Sequence, residues 1–305
     1  MNISAVVCTY NREKYLAKSL ESIAKQTLSA DNYEIIVINN NSVDNTKEVC
    51  DNFQNKNPLL SFKYFEETNQ GLSYARNRGI RESSGELITF VDDDATLEKN
   101  FLKEVTDFLN KNKNIVAVGG KILLDYEEEK PKWISKYLKS LFGFFVFGED
   151  VKPFKKPMYP RGSNMTFRRS IFENIGLFNV NLGRKGNNLE GNEEKDIFYR
   201  IYNKNFIVYY LPYAVVYHAV PEERTSDEFI KKQAEGIGVS ERYRTDNEGK
   251  KEFLKRTLTE IKKWGASFVL FAFFLFILKP SKGIMILKFR YWVSRGFFNK
   301  MKKNV

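Results

Sequence analysis

Five short apolar runs, at residues 3–8, 33–38, 60–65, 87–91 and 115–118, alternate with the segments 13–26, 44–53, 72–82 and 98–110, which carry the periodicity of helices. Strands that are apolar throughout and separated by crossover-length helices imply a mostly parallel, twisted α/β sheet with helices on both faces. Asp44 and Ser73 stand where a cap or first-turn residue belongs. In such sheets ligands bind beyond the carboxyl ends of the strands. Three polar clusters occupy that position: Thr9-Tyr10-Asn11-Arg12, Asn39-Asn40-Asn41-Ser42 and Asp92-Asp93-Asp94.

The acidic triplet carries the sharpest chemistry. Consecutive carboxylates repel unless a cation or hydrogen-bond donors compensate them, and in an extended chain Asp92 and Asp94 share a face. A hard divalent ion prefers such oxygens and keeps positions open for substrate phosphates. The same triplet would also suit a solvated turn before the next helix, and its place on the sheet favours the site. No Walker loop or Gly-x-Gly-x-x-Gly follows the first strand, which disfavours dinucleotide redox chemistry and leaves phosphate to metal and arginine.

Residues 125–154 are charged, then aromatic, with poor periodicity, and read as a mobile or acceptor-facing insertion. Residues 159–220 return to mixed strand and helix, and 226–243 are helical in pattern. Residues 266–278 form a run of thirteen with Ser267 its only polar member. That is short of the roughly 20 needed to span a bilayer. Pro280 interrupts it, and 283–298 interleave basic and aromatic side chains, as an interfacial helix requires. A shallow helical hairpin is the expectation, against the alternative of a helix buried on the preceding domain.

The formal net charge of +11 is uneven: Lys279, Lys282, Lys288, Arg290, Arg295, Lys300, Lys302 and Lys303 meet no acidic residue in the tail. With its aromatic residues this tail points to an anionic membrane surface, not to nucleic acid. Two cysteines give neither a disulfide framework nor zinc spacing, and MNISAVVCTYNR lacks the layout of a secretory signal. The expected setting is cytoplasmic, at the inner face of the plasma membrane.

Eight pieces in order carry a resemblance: Val6-Val7-Cys8-Thr9-Tyr10-Asn11-Arg12; the Asn-rich turn through Asp44; Asn69-Gln70-Gly71-Leu72-Ser73-Tyr74-Ala75-Arg76-Asn77; and Gly85-Glu86-Leu87 leading to Asp92, Asp93 and Asp94. Then come Arg161-Gly162-Ser163-Asn164-Met165, Gly176 with Phe178, Gly191-Asn192-Glu193-Glu194-Lys195-Asp196, and Val216-Tyr217-His218 with Arg224. Over roughly residues 1–240 the chain resembles the family 2 glycosyltransferases, whose GT-A fold is a Rossmann-like, mostly parallel sheet flanked by helices.

The resemblance implies an inverting transferase that takes a sugar from a nucleotide-diphosphate donor, UDP-linked by preference, to a glycan or lipid-linked acceptor in cell-surface polysaccharide synthesis. It implies Mn²⁺ or Mg²⁺, with Asp92 on the nucleotide and Asp94 on the metal. His218, the only histidine, would complete the metal site. Inversion needs a base to strip the acceptor hydroxyl. Family members usually carry Glu-Asp where this chain has Glu193-Glu194, so Glu194 aligns with the catalytic Asp, one methylene longer, and Asp196 is next in line. Donor contacts are expected from Thr9, Tyr10, Asn11, Arg12, Asn40, Arg76, Asp92 and Asp93. Asn40 replaces a customary Asp; Arg76 would lie near the base or diphosphate unless it is an exposed helical arginine. Asn164, Glu193 and Asp196 are expected at the acceptor and sugar. The expected division is a catalytic domain over 1–245, with a nucleotide half at 1–120 and an acceptor half at 121–245, and a helical membrane-associating tail over 246–305. An inactive nucleotide-sugar-binding scaffold and a sugar-phosphate nucleotidyltransferase are the competing readings; the latter would open with a Gly-rich basic loop that is missing here.

Overall fold

The structure, a computed structural model, describes residues 2–186 and 191–299. Lys300, Lys302 and Lys303 of the basic tail lie outside the described residues. The chain divides into two compact units, one of residues 1–125 and 143–219, the other of 126–142 and 220–305.

The first unit opens with the expected alternation: β1 (Ile3–Thr9), α1 (Glu13–Ala24), β2 (Tyr33–Asn39), α2 (Thr46–Lys56), β3 (Ser61–Glu66), α3 (Leu72–Glu82) and β4 (Leu87–Asp92). β5 (Ala95–Leu97), α4 (Phe101–Lys111), β6 (Ile115–Tyr126), the short β7 (Lys152–Pro153), β8 (Met165–Arg168), α5 (Ile171–Ile175), α6 (Glu193–Asn203) and β9 (Ile207–Val220) follow. The sheet order is β3-β2-β1-β4-β8-β6-β9-β5, with β7 on β9. β3, β2, β1 and β4 are parallel, whereas β8 runs antiparallel to β4 and β6, and β5 to β9. β1 shows why the strands are apolar throughout: Ile3, Ala5 and Val7 enter one core, with Leu16 and Leu20 of α1, and Val6 enters the other, with Ile80 of α3.

β6 is much longer than the run at 115–118. Gly119 and Gly120 end the apolar pattern, but they are there for close approach: a Cβ at Gly120 would sit 1.9 Å from the Ala214 carbonyl oxygen of β9. Asp44 accepts from the Thr46 backbone N–H at 3.2 Å and so serves the first turn of α2. Ser73 lies in the first turn of α3 but donates to Leu182 O at 2.7 Å instead of capping.

The second unit contains α7 (Asp227–Glu248), α8 (Lys250–Phe276) and α9 (Pro280–Phe298). α7 and α9 meet through glycines; a Cβ at Gly238 would lie 2.1 Å from Val293 O, and one at Gly296 2.2 Å from Glu235 O. α8 and α9 form the expected hairpin, but α8 begins at Lys250, well before the run at 266. Among the described residues no helix is long and apolar enough to cross a membrane.

Candidate active site

The carboxyl ends of β1, β2 and β4 gather the site as the topology requires. β4 stops at Asp92, and Asp93 and Asp94 form a turn into β5. It is this turn, not the alternation of an extended strand, that carries Asp94 back toward Asp92; the Ala219 N–H holds it by donating to Asp94 O at 2.8 Å. His218 lies inside β9, paired with Ala95 of β5. Its Nε2 is 3.2 Å from Asp94 Oδ1, and a Cβ on Gly143 would rest 3.6 Å from its ring.

One ligand atom each from Asp92, Asp94 and His218 lies within 4.8 Å of the others. Two hard carboxylate oxygens and a borderline imidazole nitrogen suit Mn²⁺ or Mg²⁺ with coordination positions to spare. Asp94 and His218 are buried, while Asp92 keeps 36% side-chain exposure on the open side. Asp93 turns inward; burial and the Asp94 charge push its carboxyl up to about 7, opposed by Arg12. Arg12 Nη2 is 3.7 Å from Asp94 Oδ2, so it too faces the cluster.

Arg76 is the second centre. On α3 it is 2% exposed, the reverse of a solvated helical arginine. Its Nη1 donates to Glu193 Oε1 at 2.9 Å, and its Nη2 is 3.6 Å from Glu194 Oε1 and 3.9 Å from Asp92 Oδ1. Phe90 and Phe178 flank the guanidinium at 5.9 and 5.5 Å. Arg76 therefore ties the metal-type cluster to the first turn of α6, where Glu193, Glu194 and Asp196 meet the positive end of the helix dipole. Glu194 is partly exposed, yet burial pushes its carboxyl up to about 7 against the pull of Arg76, with Glu193 and Asp92 adding to the rise. A carboxylate in that range suits a base near neutral pH.

Other expected residues are engaged within the protein. Asn40 donates to Glu67 O at 2.9 Å and Asn69 O at 2.7 Å and accepts from Gly71 N at 2.7 Å, which shapes the loop before α3. Asn11 and the 41–43 turn are bound to each other: Asn11 N donates to Ser42 Oγ at 2.9 Å, and Asn11 Oδ1 accepts from Val43 N at 2.8 Å. The Asn164 amide bonds Lys121 O and Ala214 O at 2.9 Å and Gly120 N at 3.0 Å, locking β6 to β9. Asp196 accepts from Arg200 at 3.0 and 2.8 Å along α6. Thr9 is buried at the end of β1, and Tyr10 is half-buried beside it. In the same way Asn77 exchanges two 2.9 Å bonds with the Phe178 backbone, so that piece of the motif is architectural.

Two residues gained weight only with the fold. Arg161 stacks over Tyr159 at 4.6 Å and Phe145 at 5.3 Å and lowers the Glu194 carboxyl electrostatically. A Cβ on Gly162 would sit 2.1 Å from Glu194 Oε1 and 2.6 Å from Arg76 Nη2, so glycine is required for the two to meet. Both lie in the Arg161-Gly162-Ser163-Asn164 stretch, but their roles depend on a partner more than thirty residues away.

Residues 4–176 match the family described as Glycosyl transferase family 2. The glucosyl-dolichyl phosphate glucuronosyltransferase of Haloferax volcanii is 29% identical over 265 residues, covering 84% of this chain and 82% of that protein. The GalNAc(5)-diNAcBac-PP-undecaprenol beta-1,3-glucosyltransferase of Campylobacter jejuni is 31% identical over 193 residues, 59% of each. Several other relatives are far longer: the chain covers only 20% of Staphylococcus aureus TarS. Among solved structures, mannosyltransferase PcManGT from Pyrobaculum calidifontis, in complex with GDP-Man and Mn²⁺, superposes with a TM-score of 0.63 at 17% identity, over 97% of this chain and 86% of that one. TarS 1-349 in complex with UDP-GlcNAc gives 0.56 at 21%, over 78% and 66%. At these identities the structural likeness speaks for the fold alone.

Proposed function

The chain belongs to glycosyl transferase family 2, and from that premise we propose that it is an inverting, metal-dependent transferase moving a sugar from a nucleotide-diphosphate donor, UDP-linked by preference, to a lipid-linked acceptor. The observation that carries this reading is the pairing of two centres through Arg76: the Asp92–Asp94–His218 cluster and the Glu193–Glu194 turn. A departing diphosphate needs compensation at the first, and an acceptor hydroxyl needs a base at the second.

In this mechanism Asp94 and His218 would hold Mn²⁺ or Mg²⁺, and Asp92, on the open side of the cluster, would face the nucleotide. The ion, when bound, supplies positive charge to the leaving diphosphate. Thr9, Tyr10, Asn11 and Arg12 border the donor from β1, and Arg12 adds a fixed cation beside the cluster. Glu194 takes the proton of the attacking hydroxyl as that oxygen approaches the anomeric carbon from the face opposite the diphosphate. Glu193 keeps Arg76 in place, and Arg76 stops three carboxylates from repelling one another apart. Asn40 and Asn164 act through the loop and strands they hold, and Asp196 through α6.

Catalysis is assigned to residues 1–245, the nucleotide to 1–120 and the acceptor to 121–245. Residues 246–305 would bring the enzyme to the cytoplasmic face of the membrane that carries the acceptor. Support for such an acceptor comes from the names of two relatives, which specify dolichyl phosphate and PP-undecaprenol. The test is a thermal-shift and hydrolysis screen with UDP-, GDP- and dTDP-sugars in Mn²⁺, Mg²⁺ or EDTA. Metal-dependent stabilisation by one donor class is expected; equal responses in Mn²⁺ and EDTA would refute the metal-dependent reading.

A further inference from the structure

α8 is built inside out. Its buried positions are Arg256, Glu260, Ser267 and Phe274. Glu260, 1% exposed, receives Arg256, Arg290 at 3.2 Å and the Ser294 hydroxyl at 3.3 Å, and Arg256 also donates to Glu241 of α7 at 2.9 Å. Trp264 Nε1 adds a 3.0 Å bond to Ser294. Large apolar side chains face outward: Leu254, Leu258, Ile261, Phe268, Val269 and Phe276 are each more than half exposed, alongside exposed Lys250, Lys251, Lys255, Lys262 and Lys263. At about 100° per residue, Leu254, Leu258, Ile261, Phe268 and Phe276 fall within an arc of roughly 80°, some half a turn from the buried set. Their line runs about 33 Å at 1.5 Å per residue. A helix on a water-facing surface shows the opposite arrangement, and a contiguous apolar row marks a contact surface, unlike scattered single residues.

We propose that this stripe of α8 lies in the plane of an anionic lipid bilayer, its apolar row among the upper acyl chains. The proposal deepens the membrane contact of the proposed function, rests on that part of it, and moves the contact from the basic tail to a row beginning at Leu254. Exposed Lys251 and Lys262 follow one border of the row, and exposed Lys279 stands just beyond its end. Exposed positions of α9 alternate Ile284, Lys288, Tyr291, Arg295 and Phe298, but Lys288 is paired with Asp227 at 2.5 Å and Arg295 with Glu235 at 3.5 Å, so the lysines that border the α8 row carry the charge argument. Cations beside an apolar stripe match anionic headgroups above hydrocarbon. Among the described residues no helix is long and apolar enough to cross a membrane, and the stripe on one face of α8 fits an in-plane contact. A second copy packed antiparallel about a two-fold axis fits less well, because that contact would bring the two lysine borders to the same side. α8 meets α9 through an aromatic contact, Phe253 stacked on Phe297 at 5.3 Å, and through the charge-assisted hydrogen bonds to Glu260.

The test is co-sedimentation of the full chain with vesicles of phosphatidylcholine alone or with phosphatidylglycerol. Binding to the anionic vesicles is expected, weakened by salt. The pairs Leu258→Glu with Ile261→Glu, and Val269→Glu with Phe276→Glu, should each lower partitioning at least about tenfold, with donor-induced thermal stabilisation unchanged. On the unaltered chain, amides across 254–276 should gain protection from hydrogen exchange on anionic vesicles while those of α1 do not. Absence of binding, or variants that bind like the original, would overturn the proposal. So would variants that turn an oligomer into a monomer while vesicle binding stays the same, which would make a second copy the occupant. Vesicle binding without donor turnover would uphold the stripe and sink the transferase reading; turnover without vesicle binding would do the reverse.

Discussion

The Arg76 guanidinium donates to Glu193 across 2.9 Å, with side-chain exposures of 2% and 5%. An ion pair so enclosed is costly to form and far more costly to break on one side, since the survivor is a buried, uncompensated charge. Arg76→Met should therefore lower stability by about 3–5 kcal/mol and abolish transfer, whereas Arg76→Lys, a cation without the fork, should fold better and remain slow. Urea denaturation with donor turnover on the same samples checks both. Stability unchanged in Arg76→Met would mean that Glu193 does not depend on this pair.

Glu194 gives a pH signature. Burial raises its carboxyl to about 7, and a base works only when deprotonated, so kcat/KM should fall as pH drops through that region. Glu194→Gln should bind donor and lose turnover by at least about a hundredfold. Glu194→Asp, shorter by one methylene, should recover much of it, since the family's usual residue there is Asp. A pH–rate profile of the two variants beside the original enzyme reads this out.

Glu34 tests the architecture apart from chemistry. Fully buried on β2, it accepts from Ser4 Oγ at 2.6 Å and from the Ser84 N–H and hydroxyl at 2.7 Å each, and pairs with Lys63 at 2.7 Å. Burial pushes its carboxyl up, but these bonds outweigh it and hold it down at about 2, below the ordinary 4.5. A depressed carboxylate contributes its stability in full above the unfolded value and loses it as pH falls from 4.5 toward 2. Glu34→Gln should cost about 1–3 kcal/mol at neutral pH, with the gap closing in that acid window. Denaturation at pH 7 and pH 3 measures it.

Much of this was legible in the residues themselves. Apolar runs such as 3–8 and 87–91 mark strands because their neighbours have a different period, and that alone puts Thr9, Asn39 and Asp92 at one end of the sheet. What stayed hidden depends on partners distant in sequence. Nothing near Arg76 shows that Glu193, 117 residues on, will bury it. The amides of Asn40 and Asn164 look like ligands until the loop and strands that claim them are in place. The α8 row is hidden differently: Leu254, Leu258 and Ile261 sit among lysines and Glu260, so hydropathy dilutes them, and only burial shows that Arg256 and Glu260 face inward while these three face out.

The central claim is that Asp94 and His218 carry a metal on which transfer depends, and nucleoside-diphosphate release from the best donor, with Mn²⁺ and with EDTA, tests it most directly. Release by the original enzyme should require Mn²⁺, and Asp94→Asn and His218→Ala should each lose it by at least about a hundredfold while keeping their fold by circular dichroism. Release that persists in EDTA, or in the Asp94→Asn enzyme, would contradict it.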